Sequence, residues 1–251
     1  MSIDKQKQFM KTSYSNYWIE ARDSKYDNLK YDDDLIQLIE SASEPPKSVL
    51  EVGVGTGVPF ASHFNNRGSK VHGVDIALQS VQKCKELNLG VQAIAADAEQ
   101  LPYRENQFDI TFCFHSIPFI SRPELAIKEM VRVTRPGGLI FFDIQNFENR
   151  KIKSFQKQRE FNATFLGQLF QTGKNLLKYV TGYGTPMWSS VVFENASTRK
   201  GMMEIINQLP IKNTAVYGQL DGMDAPTKEF DETAPLKLIF YLTKNSPVSV
   251  D

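Results

Sequence analysis

The run Val49-Leu50-Glu51-Val52-Gly53-Val54-Gly55-Thr56-Gly57 constrains the fold more than any other stretch of the chain. Its first half is aliphatic and β-branched, as suits a strand buried on both faces of a parallel sheet. Its second half places glycine at three alternate positions. Residues without a Cβ let the backbone turn tightly, adopt positive φ and approach a ligand closely. A helix is expected to start just beyond, over Val58 to Arg67, which makes the turn a site for a small molecule.

Spacing narrows the choice of ligand. A dinucleotide fingerprint needs glycine at the first, third and sixth positions, the last allowing helix and strand to pack beneath a pyrophosphate. Val58 stands where that sixth position falls, and Glu51 on the strand is a poor neighbour for a pyrophosphate but a good one for a cation or an amine. With this pattern of hydrophobic-acid-hydrophobic-Gly-x-Gly-x-Gly, the chain resembles the class I S-adenosylmethionine-dependent methyltransferases.

Further stretches match that family in order. Lys70 to Ile76 is a strand ending in Asp75, about twenty residues past the turn, where doubly wound folds place the acid that binds ribose hydroxyls. Val91 to Asp97 is a third strand, Phe108 to Cys113 a fourth, and Arg135 to Phe142 a turn and fifth strand. The resemblance implies S-adenosyl-L-methionine as cofactor. It sets Glu51 near the methionine ammonium, Gly53, Gly55 and Gly57 beneath the ligand, Asp75 on the ribose and Ile76 on the adenine. Asp97 would accept from the adenine amino group, the backbone amide of Ala98 would reach a ring nitrogen, and Cys113 is expected among the cofactor-binding residues.

The expected architecture is α/β: a doubly wound, seven-stranded, mostly parallel Rossmann-like sheet with the last strand antiparallel, read as one domain over residues 1–251. An N-terminal helical cap is expected over 1–46, the cofactor-binding core over 47–145, a helical lid inserted after the fifth strand over 146–190, and the rest of the sheet over 191–251. Crossover helices are expected at Leu78 to Leu87 and Arg122 to Val133, with Asp75 and Ser121 as starts, and a later helix at Ser197 to Leu209 capped by Ser197 or Asn195. Strands at Ile211 to Leu220 and Leu236 to Leu242 complete the sheet.

In the cap, Tyr14, Tyr17 and Trp18 cluster on about one turn, followed by Tyr26 and Tyr31. Two readings stay open. The rings pack an N-terminal helix onto the sheet edge, or, as the resemblance implies, they cover the methionine half of the cofactor, with Tyr17 leading, since a sulfonium favours aromatic faces. The lid segment is locally basic, with Arg150, Lys151, Lys153, Lys157, Arg159, Lys174 and Lys178 against Glu148 and Glu160. It is either an amphipathic cap with a solvated face or a cover whose apolar side receives an aromatic or amphiphilic acceptor and whose charge attracts an anionic one.

Composition excludes other classes. Lysine plus arginine (29) equals aspartate plus glutamate (29), so the molecule offers no net field for nucleic acid. Only Cys84 and Cys113 are present, with no metal-ligand spacing among them and His63, His72 and His115, and no metal site is expected. Met1 to Gln6 lacks an apolar h-region and no run approaches eighteen apolar residues, which leads to the expectation of a cytoplasmic protein with no stable membrane insertion. A homodimer is compatible with this reading.

Methyl transfer from a sulfonium asks mainly for alignment and exclusion of water, with a base only for alcohol, phenol or protonated-amine acceptors. His115, two residues past Cys113, is the catalytic candidate as that base, or else orients the acceptor or serves packing. Asp143, Gln145 and Trp188 are weaker pocket candidates. His115-Ser116-Ile117-Pro118-Phe119 stands where amino-methylating enzymes of nucleobases and glutamine carry Asn/Asp-Pro-Pro-aromatic. The expected reaction is therefore O-, N- or C-methylation of a small molecule, the layout resembling quinone-biosynthesis and natural-product methyltransferases. The alternative is a non-catalytic adenosyl-ligand-binding or regulatory protein on the same fold.

Overall fold

In the computed structural model the described residues are 7, 8, 10, 11, 29–154, 157, 164, 196–220 and 225–246. The aliphatic run forms β1 (Ser48–Val52), buried from Val49 onward. It lies mid-sheet because both its neighbours are parallel: β2 (Lys70–Asp75) in register Val49↔Val71, and β4 (Phe108–Cys113) in register Val49↔Ile110. With β3 (Gln92–Ala95), β5 (Thr134–Asn146), β7 (Ile211–Gln219) and β8 (Lys237–Lys244), the order is β3-β2-β1-β4-β5-β8-β7. β8 runs antiparallel to both of its neighbours, β5 and β7. The doubly wound, mostly parallel sheet with an antiparallel strand is thus as expected. A two-residue β6 (Ala196–Ser197), which sequence did not signal, pairs in parallel with the end of β5.

Alternation along the strands divides the interior into two layers. Leu50, Val52, Ile140, Phe142 and Phe240 face one side, where α4 (Pro123–Val133) adds Ile127 and Met130 and α5 (Arg199–Ile206) adds Met202 and Ile206. Val49, Phe112, Phe141 and Ile239 face the other, covered by Leu35 and Ile39 of α1 (Leu29–Ala42), Phe60 and Phe64 of α2 (Phe60–Asn66), and Val81 and Cys84 of α3 (Leu78–Glu86). Each large apolar side chain so buried contributes on the order of 1.5–3 kcal/mol. The chain winds outward from β1 through β2 to β3, then returns to β4 on the other side of β1. The crevice at the carboxyl ends of β1 and β4 is therefore the switch point at which open α/β sheets bind ligands. Opposite it, Asp109 accepts from the amides of Lys47 and Ser48, each at 2.8 Å, and locks the β4 and β1 starts together.

Several local expectations shift. The helix after the glycine turn starts at Phe60 and not Val58, because Pro59 disfavours a helical residue before it. The cap of α5 is Thr198, whose Oγ1 accepts from Gly201 N at 2.9 Å, in place of Ser197 or Asn195. α4 begins after Arg122 with no side-chain cap, so Ser121 does not serve; the Arg122 amide donates instead to Glu99 Oε1 at 3.0 Å. Of the expected lid, residues 150–154 are helical, begun by Asn149, whose Oδ1 accepts from Lys151 N at 2.9 Å. Most of the remainder, Trp188 included, lies outside the described residues, as do Tyr14, Tyr17, Trp18 and Tyr26.

Candidate active site

Past β1 the chain crosses to β2: the amides of Gly53 and Val54 both donate to Val74 O, at 2.8 and 2.9 Å. Gly53, Gly55 and Gly57 have φ of +81°, +54° and +84°, conformations that L side chains rarely adopt. A Cβ on Gly53 would lie 2.1 Å from Ser116 Oγ, so this glycine lets the loop after β4 close onto the turn. A Cβ on Gly57 would meet Cys84 Sγ at 2.8 Å, so Gly57 serves the packing of α3. Asp75 ties the turn from β2, its Oδ2 accepting from Gly55 N at 2.9 Å and its Oδ1 from Ala77 N at 2.8 Å. Burial pushes the Asp75 carboxyl above its ordinary range against these amide bonds.

At the β3 end stands an ionic cluster. Asp97 Oδ2 and Glu99 Oε2 each lie 2.6 Å from Lys7 Nζ, and Glu99 also binds Arg122 Nη2 at 2.6 Å. Burial works against the Lys7 charge, but the two carboxylates outweigh it and raise its pKa.

At the β4 end, His115 sits in left-handed backbone with φ +61°, a strained setting for a residue with a Cβ. Its amide donates to Asp143 Oδ1 at 2.7 Å. Its ring lies between Lys237 Nζ, 2.7 Å from Nδ1, and Asp32 Oδ1, 3.1 Å from Nε2, while Lys237 also donates to Asp143 Oδ2 at 2.9 Å. Desolvation first, then the Lys237 charge, lower the His115 pKa against the pull of Asp32 and Asp143. Asp143, though buried, is held below its ordinary value by Lys237 and His115.

These three groups surround one cleft. Of the expected site residues, Glu51, Gly53, Gly55, Asp75, Ile76, Asp97, Ala98 and His115 line it. Gly57 and Cys113 do not; Cys113 is fully buried in the core, and burial raises its thiol pKa well above the ordinary value. Tyr17 lies outside the described residues. The cleft opens to solvent at its mouth, and its lining is mostly apolar with a few convergent carboxylates, as in small-molecule sites. Sequence reasoning missed Lys7, Glu99, Ser116 and the aromatic wall of Phe60, Phe114 and Phe119. The one available signal was the placement of Ser116 and Phe119 beside His115.

The donor set fits the expected cofactor. Glu51, Asp75 and Asp97 offer carboxylates along the cleft, which suits a ligand bearing an ammonium, a diol and an aromatic amine and opposes a pyrophosphate. A carboxylate has about four lone-pair sites, so Asp75 can hold the turn and still accept from hydroxyls.

Comparison with known proteins agrees. Residues 50–142 match the family described as "Methyltransferase domain". The chain is 34% identical over 95 residues to a malonyl-(acyl-carrier protein) O-methyltransferase of Buchnera aphidicola, covering 38% of each protein. It is 33% identical over 94 residues to a demethylmenaquinone methyltransferase of Renibacterium salmoninarum, again covering 38% of each. The match thus spans under two fifths of these curated relatives. A structure from Thermotoga maritima described as a SAM-dependent methyltransferase, possible histamine N-methyltransferase, superposes with TM-score 0.66 over 96% of this chain and 100% of that one, at 17% identity, and so speaks for the fold.

Proposed function

We propose that this chain, which carries a methyltransferase domain over residues 50–142, transfers the methyl group of S-adenosylmethionine to a small-molecule acceptor. The observation that carries the reading is the convergence of Glu51, Asp75 and Asp97 on one cleft that His115 also lines. When bound, the cofactor supplies a methyl carbon activated by its sulfonium. Glu51 holds the amino-acid end, Asp75 the ribose and Asp97 with the Ala98 amide the adenine, while Ile76 packs on the ring.

The acceptor end is bounded by His115, Phe60, Phe114 and Phe119, with the Phe60 and Phe114 rings 5.3 Å apart. Such walls exclude water and favour a flat or apolar acceptor. His115 lines this end and orients the acceptor. The aromatic wall supports an aromatic or amphiphilic metabolite over a nucleic acid.

Calorimetric titration with S-adenosylmethionine, S-adenosylhomocysteine and a nicotinamide dinucleotide tests the reading. Binding of the two adenosyl ligands alone is expected, followed by methyl acceptance in a screen of phenols, quinols, amines and carboxylates. Adenosyl binding with no acceptor in any class would favour a binding or regulatory role; no adenosyl binding would overturn the reading.

A further inference from the structure

We propose that Lys237 is a positioning residue of this site, setting which ring nitrogen of His115 carries the proton and presenting a neutral imidazole at the acceptor end of the cleft. The inference deepens the methyl-transfer reading, since it rests on His115 facing the acceptor.

A lysine ammonium can only donate. With Nζ 2.7 Å from Nδ1, that nitrogen must offer its lone pair, so the ring proton sits on Nε2 and points to Asp32 Oδ1 at 3.1 Å. Without Lys237 the choice would reverse. Asp143 Oδ2 lies 3.5 Å from the same Nδ1 and would draw a proton onto it, leaving the ring between two carboxylates that both favour imidazolium. Lys237 prevents this twice: its charge opposes a second positive charge, and its bond to Asp143 Oδ2 at 2.9 Å occupies the competing acceptor.

The placement is specific. Lys237 opens β8, paired across Gln145 of β5, so the antiparallel strand delivers a cation to the carboxyl end of the sheet, where parallel strands deliver their tips. Asp32 comes from α1, Asp143 from β5 and His115 from the loop after β4; both carboxylates are buried, at 2% and 1% exposure. Among the described residues, these are the charged groups against the ring. The unfavourable His115 backbone, pinned by Asp143 Oδ1, shows that the fold gives up local stability to hold this residue here.

The test is nitrogen NMR of the imidazoles, which needs neither cofactor nor acceptor. The chain has three histidines, assigned by single substitution to glutamine. At neutral pH wild-type His115 should show a protonated Nε2 and a bare Nδ1. In Lys237→Met the Nδ1 signal should become that of a protonated nitrogen and the titration midpoint should rise by about one pH unit or more. Lys237→Arg, which keeps the charge, should stay near wild type. If the methionine variant does not fold, Lys237→Gln tests the charge alone: its amide can still donate to Nδ1, so the nitrogen pattern should stay and only the midpoint should rise. The same nitrogen pattern and midpoint in the wild-type, neutral and arginine proteins would overturn the proposal. The expected pattern without adenosyl binding by calorimetry would instead retire the methyl-transfer reading and leave the positioning of the ring standing.

Discussion

Lys7 Nζ lies 2.6 Å from Asp97 Oδ2, so a lysine 90 residues earlier in the chain holds the carboxylate proposed to take the adenine amino group. The Lys7 side chain is 18% exposed and Asp97 33%, a partly screened pair worth about 1 kcal/mol at most. Lys7→Ala should therefore tighten S-adenosylhomocysteine binding by about fivefold. Calorimetry on both proteins checks this. Weaker binding in the variant would mean that Lys7 stays over the ligand as part of its cradle.

Glu51 tests the opposite end of the cleft. It is 6% exposed and lies on β1 immediately before the glycine turn. Glu51→Gln keeps the size and removes the charge, and loss of a charged hydrogen bond to an ammonium costs about 1.5–3 kcal/mol. S-adenosylhomocysteine should then bind at least about tenfold more weakly. Methylthioadenosine lacks the ammonium and should bind both proteins alike. An equal loss for both ligands would assign Glu51 to structure alone.

The parts of this site that are legible in sequence are those whose cause is local. Three alternate glycines after an aliphatic run can only be a turn, and Asp75 and Asp97 are found by their positions at strand ends. The cations are different. Lys7 is 90 residues from Asp97, and Lys237 is 122 from His115; Lys7 sits in a polar run that reads as solvated surface, and Lys237 is a single charge in the apolar strand Leu236 to Leu242, which by itself names no partner. Asp32 is harder still, because the run Asp32-Asp33-Asp34 looks like the acidic start of a helix, and only the packing of α1 shows that the first of the three is buried against a histidine 83 residues on. Sheet order brings such groups together, and side-chain type alone does not announce it. The same limit applies to Gly57 and Cys113, which match the motif but face the core.

Gly53→Ala should be among the most destabilising small substitutions in the chain. The left-handed backbone costs a Cβ about 1–2 kcal/mol, and contact with Ser116 Oγ at 2.1 Å adds an overpacking cost of about 1–3 kcal/mol. Urea denaturation should give a loss of about 2–5 kcal/mol. Ser116→Gly in the same chain should recover the contact part and not the backbone part. Full recovery would show that φ at Gly53 carries no strain.

Acidity should act on stability through His115. Its folded pKa is lowered, by desolvation and then by Lys237, so below the unfolded value near 6.5 the unfolded chain takes up a proton that the folded chain does not. Stability from this group is unaffected above that pH and falls as the pH drops from 6.5 towards the folded pKa, by at most about 1.4 kcal/mol per pH unit for one proton. Asp143, with its lowered pKa, acts on the same side but further down: it stabilises above the ordinary carboxylate range near 3.8 and loses that contribution as the pH falls through its folded value. Asp75 acts in the opposite sense, its raised pKa making stability fall as the pH rises from 3.8 to its folded value. His72, lowered by burial and by Lys70, adds a slope of the same sign as His115, so wild type alone cannot isolate the ring. Urea midpoints of wild type and His115→Gln at pH 7.5 and 5.0 can. The wild type should lose more stability over that interval than the variant. An equal loss would mean that His115 becomes charged in the fold as readily as in the unfolded chain, and that Asp32 and Asp143 balance burial and Lys237.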